Sequence, residues 1–205
     1  MKFFVETLGC KVNLWESISL KLGLEEEGWV EDKGNPDVIV LNTCAVTSRA
    51  SYQSRQVFRR LKRKFPRAKI IVTGCDASFE GEVYKKECAD LVVPQGRKSE
   101  LPGVILGKKK SLSPILEDFP GRTRAYVKIE DGCDRYCNYC VIPYLRGGVR
   151  SLEKDLVLEQ VKIFLERGFK EIVLVGINLG LYGKDIYGRQ SLTELLKHIL
   201  ENTPE

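Results

Sequence analysis

Histidine is almost missing from this chain of 205 residues, with His198 the only one. It lies in a helical stretch with no ligand partner nearby in sequence, so histidine acid–base catalysis is not expected. Long apolar runs are missing too. The longest, such as Val38–Leu41 and Ile172–Val175, fall far below the roughly 20 residues that a membrane helix needs. There is no low-complexity tract and no repeat beyond an alternation of strand and helix signals. With 43% hydrophobic and 30% charged residues, the chain is expected to fold around a sizeable core. Its start, Met1 to Glu6, meets an acid before an apolar signal core forms, so no secretory signal is expected. These absences predict a cytoplasmic protein without membrane contact, whose thiols stay reduced. What it has in excess is cysteine. There are seven, an odd number that a closed disulfide framework cannot use up.

The net charge of +5 is uneven: residues 1–110 carry 20 basic and 14 acidic side chains, residues 111–205 carry 13 and 14. Nine bases and no acid fall between Arg49 and Lys69, including Arg49, Arg55, Arg59, Arg60 and Arg63. Such a block can hold phosphates by releasing their counterions, or it can be a solvated helix face. Charge alone leaves both readings open.

Short runs rich in Val, Ile or Phe at 2–6, 37–41, 69–73 and 91–93 read as buried strands. Helical stretches at 13–27, 48–65 and 78–87 separate them, each opening near an Asn, Ser or Thr able to cap it. This order implies an α/β fold with a doubly wound parallel sheet over residues 1–102. Periodicity fades over 103–120, which reads as a linker. It restarts with strands at 124–129 and 170–175 and helices at 154–167 and 192–201. Residues 121–205 thus read as the first two βα units of an incomplete barrel, since a complete one runs to about 250 residues. The chain stops where a third strand should begin, so a C-terminally truncated sequence is expected.

Cys10, Cys44 and Cys75 each follow one of the first three strands. In an open parallel sheet, ligands bind beyond the carboxyl ends of the strands. Three thiolates emerging there fit a zinc ion with an open position or an iron–sulfur cluster with one accessible iron. Cys133, Cys137 and Cys140 form Cys-x-x-x-Cys-x-x-Cys in the loop after the restarted strand. Zinc ribbons usually pair two C-x-x-C knuckles, whereas three cysteines in one loop can grip three corners of a cubane. Cys88 has no comparable context and reads as a core or surface thiol.

The segment Cys133-Asp134-Arg135-Tyr136-Cys137-Asn138-Tyr139-Cys140 resembles the cysteine loop of radical S-adenosylmethionine (SAM) enzymes. Together with Cys10, Cys44 and Cys75 and the later Pro143-Tyr144-Leu145-Arg146-Gly147, it makes the whole chain similar to the methylthiotransferase family. Thr7 to Asn13, Glu16-Ser17, Asn42 to Thr47 and Ser54-Arg55-Gln56 most resemble the branch acting on tRNA threonylcarbamoyladenosine beside the anticodon.

The resemblance implies two 4Fe–4S clusters. Cys133, Cys137 and Cys140 would hold the one that binds SAM, and Cys10, Cys44 and Cys75 an auxiliary one tied to the inserted sulfur. Tyr139 would lie near the SAM adenine, and Gly176 and Asn178 near its methionine part. One SAM would methylate the sulfur and another would be cleaved to a 5′-deoxyadenosyl radical that abstracts hydrogen from carbon 2 of the adenine or drives the sulfur insertion there. Implied partners are tRNA, met by the basic helix, and an external electron donor. As a truncated chain it is expected to be inactive alone. The alternatives are a methylthiotransferase for isopentenyladenosine tRNA or for a ribosomal-protein aspartate, a non-enzymatic zinc- or cluster-bearing RNA-binding module, and an electron-transfer protein.

Overall fold

The computed structural model describes residues 1–203, and the chain divides into two compact units, Met1–Ser113 and a second from Pro114 onward. The first unit runs β1 (Lys2–Thr7), α1 (Lys11–Glu25), β2 (Val30–Glu31), β3 (Val38–Thr43), α2 (Ser48–Lys64) and β4 (Lys69–Gly74). It continues through α3 (Cys75–Phe79), α4 (Gly81–Lys86), β5 (Leu91–Pro94), a 3-10 turn over Gln95–Glu100, and α5 (Leu101–Leu106). The strands lie in the order β2-β1-β3-β4-β5, every neighbouring pair parallel.

Strand alternation explains how both faces are covered. Phe4, Ile39, Leu41, Ile70 and Val72 pack with Phe58 and Leu61 of α2 and Tyr84 of α4. Their neighbours Phe3, Val38, Val40 and Ile71 pack with Leu20 and Leu24 of α1 and Leu101 of α5. Successive side chains point to opposite faces, and β3 is buried along its whole length. The doubly wound parallel sheet expected from the sequence is the one that forms.

Some local expectations differ. Asn13 does not cap α1; that helix opens at Lys11 with Cys10 in the cap position and no side-chain cap bond. The single helix expected over 78–87 is two short ones, α3 and α4, meeting at Glu80. β2 has only two residues, too few for alternation to show. Thr47 does cap α2, accepting a hydrogen bond from the Ala50 N–H at 3.1 Å.

The second unit contains β6 (Ala125–Lys128), β7 (Glu130–Asp131), α6 (Ile142–Arg146), β8 (Arg150–Ser151), α7 (Lys154–Glu166), β9 (Ile172–Val175) and α8 (Leu192–Glu201). β6 and β9 are parallel, joined through α7, as the two βα units require. β7 and β8 form a small antiparallel pair that the sequence does not announce. Residues 103–120, read as a linker, begin inside α5, and Leu116 and Phe119 are fully buried in the second unit. Phe119 packs on Tyr126 and Phe164, ring centroids 5.2 and 6.1 Å away. Gln160, also buried, donates to the Leu116 carbonyl at 2.7 Å and accepts from its N–H. Among the described residues no helix is long and apolar enough to cross a membrane.

Candidate functional site

In the first unit, Thr43 of β3 pairs with Gly74 of β4. Cys44 and Cys75, the next residue on each strand, therefore leave the sheet side by side, and both thiols are buried. Thr7 of β1 pairs with Asn42 of β3, and the chain then turns through Gly9 to bring Cys10 to the same carboxyl edge. Gly9 has φ +96°, and a Cβ placed on it would lie 2.7 Å from Cys44 Sγ. Only glycine lets the backbone lie that close to the thiol. A Cβ on Gly74, also at φ +96°, would fall 2.4 Å from the Thr43 carbonyl oxygen. Cys10 is exposed where Cys44 and Cys75 are not, so the group opens to solvent at one corner.

A buried polar scaffold fixes this edge. Asn13 Nδ2 donates to the carbonyls of Leu8 and Thr43, both at 2.9 Å, tying the loops that carry Cys10 and Cys44. Asn42 Nδ2 donates to the Asn13 carbonyl at 2.9 Å and to Ser17 Oγ at 2.8 Å. Ser54 accepts from the Cys44 N–H at 3.1 Å and stands 3.0 Å from its carbonyl. Beneath Asn13, Lys98 and Glu16 form an ion pair at 2.5 Å with both side chains almost fully buried. Behind Cys75, buried Asp76 accepts from the Tyr84 hydroxyl. Burial pushes the Asp76 carboxyl above its usual range.

The basic helix α2 is only partly available to a partner. Arg59 bridges to Glu87 through two hydrogen bonds, Arg60 pairs with Glu6 at 3.5 Å, and Arg55 donates to Ser51 Oγ at 2.6 Å. Arg49 and Arg63 are exposed. Cys88 is exposed as well and sits at φ +61°. In the second unit His198 pairs with Asp155 at 3.0 Å.

The cysteine loop of the second unit starts at Gly132, whose φ is +84°. The Cys133 N–H donates to the Gly147 carbonyl at 3.0 Å, and the Cys140 N–H to the Cys137 carbonyl at 2.9 Å. Cys133 is buried, Cys140 half-buried and Cys137 exposed. Tyr139 is 91% exposed. Tyr136, at φ +46°, places its ring edge-on to Tyr144 with centroids 5.6 Å apart. The turn after β9 returns to this loop: Asn178 Nδ2 lies 3.7 Å from Cys133 Sγ. Gly176 and Asn178 are thereby brought beside the cysteines, while Tyr139 points into solvent.

Among the described residues, no three His, Cys, Asp or Glu side chains converge closely enough to hold a single metal ion. A four-iron cluster spaces its thiolates wider than one ion does. Both donor sets are thiolate, the ligand type of such clusters.

Of the polar residues under the second loop, sequence inspection marks Arg146, within Pro143 to Gly147, but not its partners. Arg146, fully buried, donates to Asp131 Oδ1 at 2.7 Å. Glu130, 1% exposed, accepts from the Asn178 N–H at 2.8 Å. Burial pushes its pKa up to about 7, against the pull of two backbone N–H bonds and Arg146 and with a small push from Asp131. Only the spacing from Cys133 hinted at it, since an acid three residues before a cysteine loop has many bland explanations.

The shift has a testable sign. A carboxyl raised in the folded state adds stability that is complete below its ordinary value of 4.5 and is lost as pH rises through about 7. In the ligand-free chain, the melting temperature of Glu130→Gln should therefore gain on that of wild type between about pH 5 and pH 8. A gap that stays constant over that range in thermal denaturation would contradict the shift.

A doubly wound domain with three thiols at its carboxyl edge, followed by βα units that open on a cysteine loop, defines a class of α/β proteins with cysteines gathered at strand ends. Residues 2–94 match the family described as Uncharacterized protein family UPF0004, and nearly the whole chain is similar to methylthiotransferases. It is 33% identical to the threonylcarbamoyladenosine tRNA methylthiotransferase MtaB of Rickettsia prowazekii, over 98% of this chain and 49% of the relative. It is 37% identical to MtaB of Aquifex aeolicus, over 96% of this chain and 53% of the relative. A tRNA-2-methylthio-N(6)-dimethylallyladenosine synthase of Clostridium botulinum is 34% identical, over 97% and 49%. The chain spans about half the length of these relatives. The fold of TsrM, a radical SAM methyltransferase from Kitasatospora setae, superposes with a TM-score of 0.63 at 12% identity, covering 98% of this chain and 51% of that one.

Proposed function

We propose that this chain serves a tRNA methylthiotransferase that places a methylthio group on carbon 2 of N6-threonylcarbamoyladenosine next to the anticodon. Similarity to the two MtaB proteins over nearly the whole chain supports that branch. The observation that carries the cofactor reading is the seating of Gly9 against Cys44 Sγ, which leaves Cys10, Cys44 and Cys75 at one edge with no side chain between backbone and thiol. In this reading those three cysteines hold an auxiliary 4Fe–4S cluster, and Cys133, Cys137 and Cys140 a second one that takes SAM. When bound, these groups supply reductive SAM cleavage and sulfur transfer, chemistry the protein itself lacks.

The chain's own residues position and screen. Asn13 and Ser54 lock the loops of the first triad through their backbones. The carboxamide of Asn178 faces the Cys133 sulfur, and in this reading Gly176 and Asn178 lie near the methionine part of SAM. Exposed Arg49 and Arg63 suit contact with tRNA phosphates, and an outside donor delivers the electrons.

Anaerobic reconstitution tests the reading. Two clusters predict roughly eight irons per chain, with about half lost in Cys10→Ala and half in Cys133→Ala. A colourless protein that takes up zinc instead, or variants that lose no iron, would overturn it. tRNAs bearing threonylcarbamoyladenosine or dimethylallyladenosine, offered side by side to a reconstituted protein of the relatives' full length, separate the branches by mass.

A further inference from the structure

Glu130 has no counterpart among the residues assigned so far, yet it is the most deeply placed carboxylate near the second cysteine loop. It stands in β7, held on one side by its pairing with Ser151 of β8. On the other side it meets the turn after β9. Its Oε2 accepts from the Asn178 N–H at 2.8 Å. Gly176 completes the fit, because a Cβ there would fall 2.7 Å from Glu130 Oε2. The turn is therefore seated on a buried carboxyl group at both Gly176 and Asn178. From that turn the Asn178 side chain reaches back to Cys133 Sγ at 3.7 Å.

We infer that Glu130 is a positioning residue: by clamping the backbone N–H of Asn178, it holds the Asn178 carboxamide on the Cys133 sulfur. The inference rests on the proposed role of Cys133 as a cluster ligand and adds how that ligand is tuned. An N–H directed at a cluster thiolate withdraws electron density from it and raises the reduction potential. The isolated loop does not fix that donor. Asn178 lies 45 residues from Cys133 in sequence, and its backbone is held by Glu130 at the N–H and by the Leu181 N–H, which donates to its carbonyl at 2.8 Å. A glutamine at 130 keeps a carbonyl oxygen for the Asn178 N–H and should keep the clamp. An alanine removes it.

Three variants, Glu130→Ala, Glu130→Gln and Asn178→Ala, decide the matter in two measurements. In the ligand-free chain, hydrogen exchange at the Asn178 amide should quicken roughly tenfold in Glu130→Ala, the loss of its hydrogen bond, and stay near wild type in Glu130→Gln. After anaerobic reconstitution, with iron content matching wild type, a dithionite titration followed by electron paramagnetic resonance should show a lower midpoint for the Cys133 cluster. Glu130→Ala and Asn178→Ala should shift it alike, and Glu130→Gln should restore it. A normal midpoint in either alanine variant, or unchanged amide exchange in Glu130→Ala, overturns the inference. Failure of the parent reading looks different: Cys133→Ala would then hold as much iron as wild type, and no cluster signal would depend on it.

Discussion

Lys98→Met should lower the stability of the first unit by about 3–5 kcal/mol, the usual cost of leaving one member of a buried ion pair uncompensated. Lys98 and Glu16 are 4% and 3% exposed at their side chains and 2.5 Å apart. Removing the ammonium leaves the Glu16 carboxylate in the interior with the Gln95 carboxamide 3.4 Å away. Lys98 Nζ also stands 3.5 Å from Asn13 Oδ1, so the loss should spread to the loops of Cys10 and Cys44. Adding Glu16→Gln to Lys98→Met should recover a large part of the stability, because the stranded charge is gone. Both tryptophans, Trp15 and Trp29, lie in the first unit, so their fluorescence in urea reports on it directly. A loss below about 1 kcal/mol would mean that water reaches the pair.

Gly132→Ala should be the most damaging small substitution in the second unit. Its Cβ would fall 2.1 Å from the Gly148 carbonyl oxygen and 2.8 Å from that of Gly147, at φ +84°. Backbone strain of about 1–3 kcal/mol then adds to overpacking of similar size. Gly188→Ala is the matched control, since it has φ +69° and open space around its Cβ. It should cost only about 1–2 kcal/mol, the price of the left-handed backbone alone. Relief in Gly132→Ala comes by pushing back the 147–148 turn, which breaks the Cys133 N–H bond to Gly147 and disturbs Arg146 on Asp131. Amide exchange at Cys133 and thermal denaturation read both effects. Equal losses in the two variants would show that the loop yields without resistance.

The regular elements were legible because their signals are local. Val38–Leu41 and Ile70–Val72 read as buried strands and are. The cysteines were legible as post-strand residues for the same reason. What stayed hidden depends on partners far away in sequence. Lys98 meets Glu16 across 82 positions, and Glu130 meets Asn178 across 48; neither residue has a local pattern that marks it. The β7–β8 pair was invisible because two residues per strand are too few to alternate. The basic helix misled in part: its charge density was plain, but the acids that occupy Arg59 and Arg60, Glu87 and Glu6, come from other elements.

The strand order also sets when each set of thiols can act together during folding. Cys133, Cys137 and Cys140 lie within one loop, so even an unfolded chain holds them within a few residues of one another. Cys10, Cys44 and Cys75 share an edge only after β1, β3 and β4 have paired in parallel, a non-local step that forms slowly because long loops must close first. A metal or cluster can nucleate the local group, but it must wait for the sheet to build the other. Loading of the two groups should therefore be separable in time during refolding, with the loop first and the sheet edge second.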